Sequence, residues 1–258
     1  MIHRLSLATV SISLFLAGCG RTPPTPAPEA PVTGITAEAP ALPTAVQDYL
    51  DALKTVESAS APGSLETLLT KAEGAQNALM EVTGEQAVLE RYSEAEFTAL
   101  QKTVRGLKLH RDLEIYAQPE PAFFLALAKA KGLPADVAFF EQYAASMGDD
   151  LVPRYLKLRP QPSPCVRFGE GVIEPLYAGW RAYAAAHPAA YAGHAQQSIA
   201  DLEETLVLGT CTCSDAAAVL SEQAAFVARY PDNAKAAAIK ARSEQLVNDP
   251  EVLPVHCR

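Results

Sequence analysis

From Thr44 onward, apolar residues recur three and four positions apart, the spacing of a helix that buries one face. Val46, Tyr49, Leu50, Leu53 and Val56 make the first stripe, and Thr44 with Gln47 has the spacing of a capping box. Pro62-Gly63-Ser64 breaks it. Leu65, Leu68, Leu69, Ala72, Leu79 and Val82 make the second stripe, with Gly84 as the expected stop. Ser93 and Glu96 form another capping box ahead of Phe97, Leu100 and Val104, and Gly106 closes that helix. Two short Phe-rich helices follow, opened by Pro119–Pro121 and by Pro134 and expected to lie in the core. One carries Phe123, Phe124, Leu127 and Ala128 before Gly132; the other carries Val137, Phe139, Phe140 and Tyr143.

Residues 107–117 depart from this spacing. Leu107 and Leu109 alternate, as do Leu113 and Ile115, around His110-Arg111-Asp112. That pattern fits a small β-hairpin or one further helical turn. Pro153, Pro160, Pro162 and Pro164 then mark a connector or subdomain boundary between a helical region at 44–152 and another at 165–258. The predicted fold is mainly all-α, a helical-hairpin bundle with a small β-hairpin near residues 107–117.

The C-terminal region repeats one unit. Val172, Ile173, Leu176, Tyr177, Trp180, Tyr183 and Ala184 form a stripe that His187-Pro188 stops, and Pro188 is expected to open the next helix. That helix carries Tyr191, Ala195, Ile199, Leu202 and Leu206 and ends at Gly209. Ser214 is placed to cap a third helix with Val219, Leu220, Phe226 and Val227; Tyr230-Pro231 stops it, and Asp232 onward predicts a fourth. His187-Pro188 and Tyr230-Pro231 lie 43 residues apart, and at that offset Tyr183 aligns with Phe226. These hairpins weakly resemble tetratricopeptide-like helical repeats, although the period is longer and the Trp-Leu-Gly-Tyr pattern is missing.

The amino-terminal end carries a different signal. His3 and Arg4 precede an apolar run, Leu5–Leu16, that is too short to span a bilayer as a helix. It ends in Leu16-Ala17-Gly18-Cys19, which resembles the lipobox of bacterial lipoproteins. The resemblance implies a signal peptide at 1–18, cleavage before Cys19 and acylation of Cys19. Several acyl chains on one residue anchor stably. Gly20 after the lipidated Cys implies, by resemblance to enteric lipoproteins, the outer membrane, with the protein in its inner leaflet facing the periplasm. Residues 19–43 then read as a tether: seven of the 20 prolines fall here, so the segment forms neither a core nor a regular helix.

Composition narrows the rest. Hydrophobic residues make up 49% of the chain, enough for a packed core, and the net charge of −9 argues against nucleic acid as a partner. Besides Cys19 there are Cys165, Cys211, Cys213 and Cys257, an even number that in an exported chain predicts two disulfides. With four antiparallel helices all four cysteines fall at one end. Cys165–Cys211 with Cys213–Cys257, and Cys165–Cys213 with Cys211–Cys257, are then both open. A thiolate metal site joined by His256 is the rival, disfavoured where thiols are oxidised; no metal and no cofactor is expected.

Catalytic signatures are lacking. His110, His187, His194 and His256 form no ligand or triad pattern, and His110-Arg111-Asp112-Leu113 lacks every companion of the kinase motif it resembles. Asp149-Asp150 reads as a solvated loop, Glu203-Glu204 as an exposed helix face and Trp180 as core. No catalytic residue is expected. The expectation is a non-catalytic binding or scaffold lipoprotein of the bacterial envelope, held to the membrane through Cys19 and carrying a protein partner. Its alternatives are an immunity or inhibitor lipoprotein that neutralises a toxin or cell-wall hydrolase, and an envelope enzyme or metal-handling protein.

Overall fold

Each apolar stripe folds as a helix in the computed structural model, which describes residues 41–111, 115–147, 156–158, 164–209, 212 and 214–249, with the backbone alone at 156–158 and 164–165. Helices α1 (Thr44–Ser58) and α2 (Glu66–Met80) pack as a hairpin. Helix α3 (Glu94–Thr103) leads into strands β3 (Leu107–Arg111) and β4 (Ile115–Pro119). Three more helical hairpins follow: α4 (Pro121–Lys131) with α5 (Pro134–Met147), α6 (Ile173–Ala186) with α7 (Ala192–Leu208), and α8 (Ala216–Arg229) with α9 (Ala236–Asn248). Helix α5 packs on α6 and α7 on α9, so the second hairpin is covered by the third and the third by the fourth.

The fold is thus all-α in the main, with the small β-hairpin where the alternation placed it. Leu107, Leu109 and Ala117 are buried on one face, and Leu109 pairs across the ladder with Ala117. On the other face His110 stacks on Tyr116 at 4.9 Å. Strand β4 lies against α2. Two shorter antiparallel pairs were not expected. One joins β1 (Val82–Thr83) to β2 (Gln86–Ala87); the other joins β5 (Leu156–Leu158), inside the proline-marked connector, to β6 (Pro164–Val166), which starts at its last proline.

Several boundaries differ from the expected ones, each for a local reason. Helix α2 stops at Met80, and Gly84 (φ 77°) makes the turn between β1 and β2 instead. The Thr44–Gln47 box does not form, because the Gln47 amide donates to Asp51 and Thr44 is already inside α1. The Ser93–Glu96 box forms in both directions. Asp215, not Ser214, caps α8 by accepting from Ala218 N, while the Ser214 hydroxyl donates to the carbonyl of Phe168. Pro188 lies in the turn before α7, which starts after Tyr191, and α9 starts at Ala236 rather than near Asp232.

The 43-residue offset has a matching geometry. His187 ends α6 at φ −132°, ψ 60°, donating its N–H to Tyr183 O; Tyr230 ends α8 at φ −125°, ψ 62°, donating to Phe226 O. In both, the following Pro cannot continue the helix, and the residue before it leaves helical conformation. Tyr183 and Phe226 are both buried.

Phe139 and Phe140 of α5 are fully buried and join the two regions: Phe139 lies 3.8 Å from the ring of Tyr191 and 5.5 Å from Trp180. Trp180 is core, 2% exposed, and its indole N–H donates to Ser146. One continuous cluster of buried side chains runs from Val46 to Leu246. Among the described residues no helix is long and apolar enough to cross a membrane.

Candidate functional site

Helices α6 and α7 and the α8–α9 turn line a groove of about 540 Å³. Its floor is a hydrogen-bonded cluster drawn from all three. Tyr177, on the inner stripe of α6, donates its hydroxyl to Glu203 of α7 at 2.9 Å. The side-chain amide of Asn233 donates to both Tyr177 Oη and Glu203 Oε1, each at 2.7 Å. Asn233 itself is fixed because its Oδ1 accepts from Lys235 N at 2.7 Å, the local side-chain turn that Asn makes ahead of a helix.

A second cluster borders the first. Tyr230, released from α8 by Pro231, donates its hydroxyl to Glu174 at 2.8 Å, and Arg229 Nε pairs with the same carboxylate oxygen at 2.8 Å. The Tyr177 and Tyr230 rings meet edge to face at 5.0 Å. Arg181 lies over both, its guanidinium carbon 5.7 Å from each ring centroid. Burial, and then the hydrogen bond to Glu203, hold the Tyr177 hydroxyl above its usual pKa; burial and then Glu174 do the same for Tyr230. Both phenols therefore remain protonated donors across the physiological range.

The groove presents aromatic faces, guanidinium and amide donors and carboxylate acceptors. Its lining includes no Ser, Cys, His or Lys. Its titratable groups among the described residues are the two carboxyls Glu203 and Asp232, the two phenols and the two guanidiniums. A smaller cavity of about 160 Å³ lies beside it, lined in part by Gly169, Ile173, Glu222 and Phe226. Glu222 accepts the N–H of Gly169 at 2.6 Å, and burial raises its pKa. Its role there is to hold the loop that leads into α6.

The residues singled out from sequence distribute unevenly. Glu203 is not on an exposed face: it is half-buried and lines the groove, whereas Glu204 is exposed. Nothing local marks that difference, because it depends on α7 crossing α6 and the α8–α9 turn. His194 pairs with Glu73 at 2.9 Å, and Arg111 pairs with Glu94 at 2.8 Å while covering the ring of Phe97. Asp112, Asp149, Asp150 and His256 lie outside the described residues, as do the lipobox, Cys19 and the tether up to residue 40. Of the disulfide candidates, Cys211, Cys213 and Cys257 also lie outside them; Cys165 sits on β6 opposite Lys157. Val166 forms an isolated parallel bridge with Thr212, which is fully buried. Among the described residues no three His, Cys, Asp or Glu side chains come together to hold a metal ion.

No protein-family model matches the chain, and no curated protein and no solved structure is significantly similar to it.

Proposed function

We propose that the protein is a non-catalytic binding lipoprotein of the bacterial cell envelope, anchored through Cys19 and engaging a polypeptide partner in the groove between α6, α7 and the α8–α9 turn. The observation that carries the binding half is the groove's lining: ordered donors, acceptors and aromatic faces with no reactive side chain among them. The cleft lies between helices and has the volume of a ligand site, although its lining is more polar than is usual for a small-molecule pocket, which suits a polypeptide better. The observation that carries the anchor is Leu16-Ala17-Gly18-Cys19 after a short apolar run, followed by a proline-rich stretch long enough to hold the folded body off a membrane.

The experiment compares the native chain, carrying a C-terminal tag, with Cys19→Ala and with Ala234→Trp, which fills the groove from an exposed turn position. The native protein is expected to fractionate with membranes and to retain a stoichiometric protein through washing. Cys19→Ala should leave the membrane fraction, and Ala234→Trp should stay there but lose the partner. A Cys19→Ala protein that fractionates like the native one removes the anchor. A partner retained by Ala234→Trp removes the groove. The net charge of −9 supports a basic partner; a toxin or cell-wall hydrolase as the retained protein would make this an inhibitor rather than a scaffold.

A further inference from the structure

Arg181 is the one groove cation whose hydrogen-bonding capacity is unused among the described residues. Four other arginines meet carboxylates: Arg105 with Glu57, Arg111 with Glu94, Arg167 with Glu170 and Arg229 with Glu174. Arg181 lies on the rings of Tyr177 and Tyr230 and makes no hydrogen bond or ion pair among the described residues. A cation over an aromatic face has its charge partly satisfied, but its N–H groups are not used by the ring. A guanidinium carries five of them in a planar fork that matches a carboxylate.

The rings beneath it are held in place. The Tyr177 hydroxyl is tied to Glu203 and Asn233, and the Tyr230 hydroxyl to Glu174. The guanidinium lies over these fixed rings, on an exposed residue that lines the groove. Glu203 uses Oε1 for Tyr177 and Asn233 and forms no ion pair with Arg181. Its Oε2 remains an acceptor.

Resting on the reading of the groove as a polypeptide site, the geometry points to Arg181 as the residue that recognises a carboxylate of an extended peptide, with Glu203 accepting a neighbouring peptide N–H. A carboxylate suits the site better than a phosphate. Glu203 and Asp232 also line the groove, and a dianion beside two carboxylates is repelled more strongly than a monoanion.

The test uses NMR of the ¹⁵N-labelled full chain in detergent micelles, titrated with N-acetyl-Ala-Ala, with the same dipeptide as its C-terminal amide, and with inorganic phosphate. The free acid is expected to shift the Arg181 Nε–H and the Asn233 side-chain amide saturably. The amide should bind about tenfold or more weakly, the ratio expected when a charge-assisted pair is lost. Arg181→Ala should abolish the response, and Arg181→Lys should weaken it severalfold, because an ammonium keeps the charge without the fork. Equal binding of acid and amide, tighter binding of phosphate, no saturable shift with any probe, or an unchanged Arg181→Ala titration would each overturn the assignment. If the assignment falls while Ala234→Trp still loses the envelope partner, the groove remains a polypeptide site and only the role of Arg181 is wrong. If the partner survives Ala234→Trp, the underlying reading has failed.

Discussion

The hydroxyl of Tyr191 donates a 2.5 Å hydrogen bond to Oδ1 of Asp136, a carboxylate that is 1% exposed and lies 55 residues earlier. The same side chain accepts from Leu65 N at 2.8 Å and from Leu133 N at 2.7 Å. Three turns, α1–α2, α4–α5 and α6–α7, thus converge on one buried acid. Tyr191 N adds a fourth tie by donating to Glu66 at 3.0 Å. Burial, then the contact with Asp136, keep the Tyr191 phenol well above its usual pKa, so it stays a donor. The arrangement holds Tyr191 in left-handed conformation (φ 50°), which costs an L residue roughly 1–2 kcal/mol.

This junction predicts large single-residue losses of stability. Tyr191→Phe should cost about 1.5–3 kcal/mol, the worth of a hydrogen bond to a charged group. Asp136→Ala strands three donors at once and should cost roughly 4 kcal/mol or more. Urea unfolding of the two variants checks the order; equal small losses would contradict it.

His194 and Glu73 link α7 to α2 beside that junction. The hydrogen bond that His194 donates to Glu73 raises the His194 pKa against the opposing effect of burial, with Glu66 also facing it and the rings of Phe139 and Tyr191 packed around it. A His whose folded pKa is raised adds stability that is complete below its unfolded value, about 6.5, and is lost as pH rises through the folded value. The pair is partly solvated, so the gain is on the order of 0.5–1 kcal/mol. Stability measured from about pH 6 to about pH 8 should fall by that amount in the native chain, and the fall should vanish in His194→Gln.

Gly106 is required where α3 turns into β3. It has φ 81°, and a Cβ there would run into Tyr49 Oη and the ring of Phe123. Tyr49 cannot yield, because it is fully buried and donates to Arg105 O at 2.6 Å. Gly106→Ala should therefore cost about 2 kcal/mol or more from strain and overpacking together. Gly84→Ala offers the control: its φ is also positive, but the added carbon meets nothing. Thermal unfolding should place Gly106→Ala well below Gly84→Ala.

Much of this fold is legible locally. The apolar stripes specify the helices because helical period is a local property, and Pro121, Pro134, Gly132 and Gly209 mark helix ends as their backbones require. What the chain does not display locally depends on distant partners. Glu203 carries the pattern of a solvated face, yet it sits between Tyr177 and Asn233, which no spacing rule connects. Asp136 reads as a first-turn acid of α5, and only packing brings Leu65 and Tyr191 to it. The left-handed Tyr191 has no signature at all, since Gly or Asn is the usual occupant of that conformation.

The bridge between Val166 and Thr212 bears on the cysteines. It sets the residue after Cys165 beside the residue between Cys211 and Cys213, so Cys165 should pair with one of those two and Cys257 with the other. Peptide mapping without reduction should recover both bridges. Either bridge closes a loop of some forty-odd residues, so Cys165→Ser should cost about 3–4 kcal/mol under oxidising conditions and little after reduction. A Cys211–Cys213 bridge, or free thiols in protein prepared under oxidising conditions, would contradict the pairing.

The central claim, that the α6–α7–α8 groove is the partner-binding surface of an envelope-anchored protein, is tested most directly by photo-crosslinking in intact cells. A photoreactive residue is placed in the full-length chain at Gln196, an exposed groove position, and in a second chain at Asp51, exposed on α1. A single discrete adduct from Gln196, absent from Asp51 and lost when Ala234→Trp is added, is the predicted result. The same adducts from both positions, or a Gln196 adduct that survives Ala234→Trp, would contradict the account.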